Sequence, residues 1–396
     1  MTARIATPLT DLLGIDCPVV QSGMGYVSGP RLVTAVSRAG GLGIIASATM
    51  SLAELEAAIR EVKARTGAPF GVNLRADAAD ARERAELIIA EKVPVASFAL
   101  APTRELIAAL RGAGVVTIAS VGARRHAEKV AAWGIDAVIA TGGEGGGHTG
   151  AVPTSLLIPQ VVDAVDIPVI AAGGYFDGRG LASALAYGAA GIAMGTRFLL
   201  TSDSPVADAV KQVYLDADLA GTVVTTRVDG VPHRVLRTPL VVKIDQAGRW
   251  TGLVRSARSA AAFRGLSGLS WRDLIRAGRA MRRGTELTWA QVLMAANTPV
   301  LLRAAMVNGR PDLGLMSSGQ VAGLITDLPS CAELIDSIMA GAQQRLAALG
   351  ELAGPAGPAA APAGPATAPG RRPPEGEAAA AGDPPAAPGG TVRRAR

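Results

Sequence analysis

The chain has 396 residues, 49% hydrophobic and 18% charged, enough for a large buried core in one or two α/β domains. Its formal net charge is a modest +6, only 3% of residues are aromatic, and no dense basic stripe with interleaved aromatics occurs, so nucleic acid is not an expected partner. Two cysteines, Cys17 and Cys331, and three scattered histidines offer neither a disulfide framework nor a metal-ligand cluster.

The apolar runs are broken before the length of about 18 residues that a membrane span needs. The N-terminus has no apolar signal core, so a cytoplasmic protein with buried, reduced thiols is expected.

Residues 1–203 alternate short, β-branched apolar runs with Ala/Leu/charge stretches of helical period. The runs lie at 18–21, 43–46, 70–73, 95–98, 115–118, 137–140, 169–172 and 191–194. Helix-like stretches between them include 52–65, 78–91, 103–112, 123–133, 155–165 and 180–187. Strands that are apolar throughout imply a sheet buried on both faces, hence a parallel βα architecture. Eight such units in about 200 residues predict a (β/α)8 barrel. The missing GxGxxG after the first run disfavours an open dinucleotide-binding sheet.

In such a barrel, chemistry gathers at the C-terminal strand ends. Those ends carry Ser22-Gly23-Met24, Asn73, Ser120, Thr141, Gly173-Gly174 and Gly195-Thr196. The last two clusters follow the seventh and eighth runs, where backbone N–H groups hold phosphate in this fold. A phosphorylated cofactor lying across the barrel mouth is expected.

The sixth run feeds the stretch Thr141-Gly-Gly-Glu-Gly-Gly-Gly-His-Thr-Gly150. Apart from Glu144, side chains are absent between Gly142 and Gly147. A chain gives up that much side chain where its backbone must approach something closely or adopt φ > 0. The run presents one imidazole, His148. It reads as an active-site loop, or else as a flexible surface loop that happens to hold a histidine.

Residues 204–290 form an arginine-rich insertion after the eighth strand, containing Arg227, Arg234, Arg237 and nine more arginines between 249 and 283. A helical lid over the mouth is expected. Its arginines would grip an anionic substrate, or else line a solvated helical face. His233, Arg234 and Arg237 are the substrate-contact candidates. Residues 291–352 are expected to return to the barrel as helices, the first stopped by Pro299, with a small-residue turn at 317–323 near the ligand. Residues 353–396 collapse to Pro, Ala and Gly and read as a disordered tail.

The stretches Pro18-Val-Val-Gln-Ser-Gly-Met24, Ala39-Gly-Gly-Leu-Gly43, Gly143-Glu-Gly-Gly-Gly-His-Thr-Gly150, Ala171-Ala-Gly-Gly174 and Met194-Gly-Thr-Arg-Phe198, in this order, resemble the nitronate monooxygenase (2-nitropropane dioxygenase) family. That family comprises FMN-dependent barrels and includes related flavin enoyl-thioester and quinone reductases. The resemblance implies FMN as cofactor. It places Ser22, Gly23 and Met24 along the isoalloxazine, Asn73, Ser120, Thr141 and Gly146 beside the cofactor, and Gly173, Gly174, Gly195 and Thr196 around its phosphate. Ser120 stands where some relatives carry lysine. His148 matches the family's catalytic histidine.

Stretches 72–77, 96–102, 195–203, 222–229 and 287–299 are more specifically similar to IpdC-type flavin-dependent CoA-ester reductases of actinobacterial steroid ring degradation. That similarity implies NAD(P)H-dependent reduction of a ring double bond in a CoA-linked hydrindane intermediate, with a small-molecule CoA thioester as partner. Oxidation of alkyl nitronates with O2, and a non-catalytic flavin-binding role, are the alternatives. Oligomeric state and the choice between NADH and NADPH are not legible.

Overall fold

The computed structural model describes residues 4–99, 102–227, 231–245 and 301–354. The chain divides into two units, Met1–Gly350 and Glu351–Arg396, and the fold below is that of the first. The expected disordered tail from residue 355 onward, the second part of the insertion, and the helix ending at Pro299 lie outside the described residues.

Strands β1 (Val19–Gln21), β2 (Leu42–Ala46), β3 (Phe70–Leu74), β4 (Val95–Phe98), β5 (Val116–Val121), β6 (Ala137–Thr141) and, after a short outlying strand β7 (Gly147–His148), β8 (Val169–Ala172) and β9 (Gly191–Met194) account for all eight predicted runs. Parallel pairing carries β1 through β6 to β8 and β9, and β9 returns to β1 with Val20 beside Ala193, which closes the barrel. β1, β2, β3, β4, β8 and β9 are buried at every position, as strands sandwiched between an interior and a helical layer must be.

Successive side chains alternate between those two environments. Val20, Ile44, Val95, Ile118, Ile139 and Ile170 fill the barrel, and Leu9 and Leu13 of helix α1 (Pro8–Leu13) join them from one end. Thr7 starts α1 with a capping box, Pro8 follows at the first turn, and Gly14 ends it at φ 65°. The Thr7 hydroxyl donates to Ala190 O at 2.7 Å, just before β9 begins. Helix α1 therefore seals the N-terminal end of the barrel and leaves chemistry to the other.

The outer layer is formed by α2 (Pro30–Arg38), α3 (Leu52–Arg65), α4 (Ala81–Ala90), α5 (Arg104–Gly112), α6 (Arg124–Ala132), α7 (Thr154–Val162) and α8 (Gly178–Ala186). Helix α3 shows the local logic. Ser51 and Glu54 form a capping box, and Leu55, Ile59 and Val62 recur at helical spacing on the buried face. Each such side chain contributes about 1.5–3 kcal/mol by leaving water.

After β9 come α9 (Thr196–Leu199), α10 (Asp208–Leu215), β10 (Thr222–Thr225), β11 (His233–Leu236) and α11 (Pro239–Asp245). The insertion was expected to be helical, but its described part carries two strands. β10 pairs antiparallel with β11, and β11 pairs antiparallel with β7 in the glycine loop. The β-branched run Thr222-Val-Val-Thr225 and the alternation of His233 and Val235 inward favour this over helix. The last helix, α12 (Cys331–Leu352), packs on α8 so closely that a Cβ on Gly178 would lie 2.4 Å from Ala342 N. Among the described residues no helix is long and apolar enough to cross a membrane.

Candidate active site

At the C-terminal end of β1, Gln21 is fully buried and organises the turn that follows. Its amide donates to Ser28 Oγ at 2.7 Å and accepts from Ile44 N at 3.3 Å. Ser28 Oγ accepts in turn from Met24 N at 2.8 Å and donates to Ser22 O at 3.1 Å. Ser22 N donates to Met194 O at 3.0 Å, joining this turn to the last strand. The turn passes over the end of β3, where a Cβ on Gly23 would lie 2.8 Å from Asn73 Cβ. Ser22, Gly23, Met24 and Asn73 are thus brought together as expected.

Asn73, Ser120 and Thr141 sit at register positions that share a face with Ile44, Ile118, Ile139 and Ile170, the interior of the barrel. Ser97 also belongs to this face and accepts from Asn73 Nδ2 at 3.3 Å. It was missed in the sequence, although a hydroxyl at the inward position of the apolar run Val95-Ala-Ser-Phe98 was a readable signal.

The phosphate cradle can be tested against the backbone. Gly173 and Gly174 have φ of 105° and 80°, a region that side chains rarely enter. Gly195 caps α9, and a Cβ there would meet only Met24 side-chain atoms, the nearest at 3.4 Å. The N–H groups of Gly174, Gly195 and Thr196 have no acceptor among the described residues. Backbone donors left open at the glycine turns after two neighbouring strands fit a phosphate ester. The Thr196 hydroxyl is oriented differently and accepts from Gly319 N at 2.9 Å.

The glycine loop is tied down by close backbone approaches and hydrogen bonds, which favours the active-site reading over a flexible surface loop. Cβ atoms at Gly142 and Gly146 would lie 2.0 Å from Thr154 Oγ1 and 2.5 Å from Gly319 N, so glycine is required for both approaches. Glu144 accepts from Thr154 N at 2.9 Å and from Thr154 Oγ1 at 2.6 Å, and its own carbonyl accepts from Gln320 N at 2.9 Å. Sequence reasoning noticed Glu144 but gave it no role. Arg234, expected to grip substrate, donates to Gly143 O at 2.8 and 3.2 Å and to Thr222 Oγ1 at 2.9 Å. Burial lowers its pKa, and Glu144 opposes that shift. Arg237 is exposed.

At the end of this loop His148 is exposed and His233 buried. They are direct cross-strand partners, with ring centroids 4.8 Å apart and planes tilted by 52°. His233 Nε2 is 2.8 Å from Ser317 Oγ, and Ser317 O accepts from the fully buried Tyr214 hydroxyl at 2.8 Å. From the β3 side, hydrogen bonds from Arg75 hold the Asp77 carboxyl below the usual carboxylate range, and His148 acts in the same direction.

An eight-stranded parallel barrel, with small polar groups and a histidine-bearing loop at its C-terminal mouth and a glycine cradle after its last two strands, has the layout of a barrel enzyme that holds a phosphorylated ligand at that mouth. The chain belongs to the nitronate monooxygenase family, whose model matches residues 6–88 and 82–341, and its cofactor is a flavin. Two curated relatives carry the name (3aS,4S,5R,7aS)-5-hydroxy-7a-methyl-1-oxo-octahydro-1H-indene-4-carboxyl-CoA dehydrogenase. The Mycobacterium tuberculosis protein is 65% identical over 85% of this chain and 96% of its own length. The Rhodococcus jostii protein is 59% identical over 88% of this chain and 99% of its own. Among solved structures, FabK from Thermotoga maritima is 35% identical, with a TM-score of 0.72 over 88% of this chain and 99% of that one.

Proposed function

We propose that this protein is an FMN-dependent oxidoreductase acting on the ring of a hydrindane carboxyl-CoA thioester, with His148 as its acid–base group. The observation that carries the reading is the 65% and 59% identity to two relatives, nearly end to end, whose names specify that substrate. FMN, when bound, supplies hydride transfer to and from carbon. Gly173, Gly174, Gly195 and Thr196 hold its phosphate through backbone N–H groups. Ser22, Gly23, Met24, Asn73, Ser120 and Thr141 line its ring system.

His148 stands at the mouth with its ring accessible. It removes the proton α to the thioester carbonyl while the β-carbon loses hydride, and a carbon–carbon double bond forms between the two carbons. In reverse it returns that proton. The relatives' names give the direction of dehydrogenation. Reduction of a ring double bond, with NAD(P)H as reductant, is the same transfer run backwards. Exposed Arg237, on the insertion, is assigned to the anionic groups of CoA.

A second reading, oxidation of alkyl nitronates by O2, is favoured by the family's own description. Anaerobic titration of the holoenzyme decides between them. Bleaching of the flavin band by the saturated hydrindane carboxyl-CoA, or by NADH or NADPH, supports the CoA-ester reading. Bleaching by propionate 3-nitronate alone replaces it with the second.

A further inference from the structure

His233 is a buried imidazole supplied by the insertion after the barrel, and the hydride-transfer scheme above gives it no task. We propose that His233 is the positioning residue for His148, so that the insertion completes the catalytic centre. The proposal rests on His148 being the acid–base group.

Three observations converge. The first is register. β11 pairs with β7 so that His233 and His148 are opposite one another, the arrangement in which cross-strand side chains share a face. The second is ring geometry, since a 4.8 Å centroid separation at 52° is direct tilted contact. The third is the anchoring of His233. His233 is 4% exposed and anchored through Nε2 to Ser317 Oγ. Ser317 is itself held twice, by Tyr214 through its carbonyl and by an isolated bridge to Val235.

His148 sits on a two-residue strand at the end of a run of glycines, with its side chain towards solvent. An imidazole in that setting samples several rotamers unless something packs against it. General acid–base catalysis needs one ring nitrogen aimed at one carbon, and a small misplacement is costly. The anchored ring of His233 packs directly against His148 and limits those rotamers.

The test uses the holoenzyme and the variants His233→Leu, His233→Phe and Ser317→Ala. Phe keeps a ring of similar size should Leu fold poorly. Ser317→Ala leaves both histidines in place and frees the anchor. The expected result is a fall in kcat of about 10- to 100-fold for His233→Leu, with KM and bound flavin unchanged. Smaller falls are expected for His233→Phe and Ser317→Ala. The chain has three histidines, so 15N-histidine NMR resolves them without substrate. Ser317→Ala is expected to shift the imidazole signals of both His233 and His148 and leave those of His126 in place.

Unchanged His148 signals in Ser317→Ala and His233→Leu would overturn the proposal. So would parental kcat in His233→Leu, or a kcat loss fully matched by lost flavin. The NMR arm reads the same whether the substrate is a CoA thioester or a nitronate, so failure of the substrate assignment is distinguishable.

Discussion

The Glu144 carboxylate, ten residues before Thr154, accepts both the backbone N–H and the hydroxyl of that residue. The position that would normally cap α7 is Pro153, which has no side-chain cap. Glu144 performs the capping from the glycine loop, with its negative charge at the positive end of the helix. One side chain therefore anchors the loop that presents His148 and satisfies the start of α7.

Replacing Glu144 by Ala removes both functions. We expect a loss of about 1–2 kcal/mol in urea unfolding, the usual worth of a cap. Turnover should fall further than stability suggests, because the loop loses its tether to α7. Glu144→Gln keeps one acceptor oxygen and should recover part of each. Wild-type turnover in Glu144→Ala would refute the tether.

Gly146→Ala tests the fit between the glycine loop and residues 318–319. A Cβ there would lie 2.5 Å from both Gly319 N and Ser318 C, which are backbone atoms with little room to yield. We expect a cost of about 1–3 kcal/mol, typical of overpacking. The loop should be displaced while far-ultraviolet circular dichroism, dominated by the barrel, stays unchanged. A crystal structure of the variant with His148 unmoved would contradict this.

Both cysteines should be inert in the native protein. Burial, with smaller contributions from Asp16 and Asp336, pushes the Cys17 thiol up to about 11. Burial likewise pushes Cys331 up to about 12, beside the Thr201 hydroxyl at 3.8 Å. Since the thiolate is the reactive form, neither should titrate with a disulfide reagent near neutral pH. Both should react after denaturation. Fast labelling of the native chain would show that one of them is uncovered.

Acid should weaken the fold partly through Asp80. Its carboxyl lies below the usual range because Arg84 donates to it at 2.8 Å. A folded pKa below the unfolded one adds stability that is present above the unfolded value, about pH 4, and vanishes as pH falls through the folded value. Arg84 is buried and also donates to Ser47 O and Met50 O at 2.7 Å each. Asp80→Asn should thus lower the urea midpoint at pH 7, and the difference from the parent should shrink as the pH is lowered from 7 to 3. A constant difference across that range would exclude the linkage.

The barrel was legible because its physics is local. A strand buried on both faces must be apolar throughout, so runs such as Gly43-Ile-Ile-Ala46 announce themselves. Helix α3 was readable to the residue, because Ser51 and Glu54 mark its start in the sequence itself. The candidate cofactor positions followed from the barrel, since strand ends fix where small residues matter.

What escaped notice depends on partners far along the chain. The insertion reads as helical from its arginines, yet β11 forms because β7, some 85 residues earlier, offers it an edge (~85, the offset between paired strands). Arg234 has no local signal that its acceptor is Gly143, 91 residues away. Ser317 and His233 are separated by 84 residues, and nothing near either residue announces the other.

The link between Thr196 and Gly319 spans 123 residues of chain. On a ribosome adding about 5–20 residues per second, that interval lasts about 6–25 s. All eight barrel strands have been translated before it begins. The segment that accepts from β11 through Met316 O, and donates to Glu144 O through Gln320 N and to Thr196 Oγ1 through Gly319 N, is made only at its close. The nascent protein thus has the means to build its scaffold well before it can lock its catalytic loop, and a product released early, before residue 316, would carry the whole barrel without that fastening.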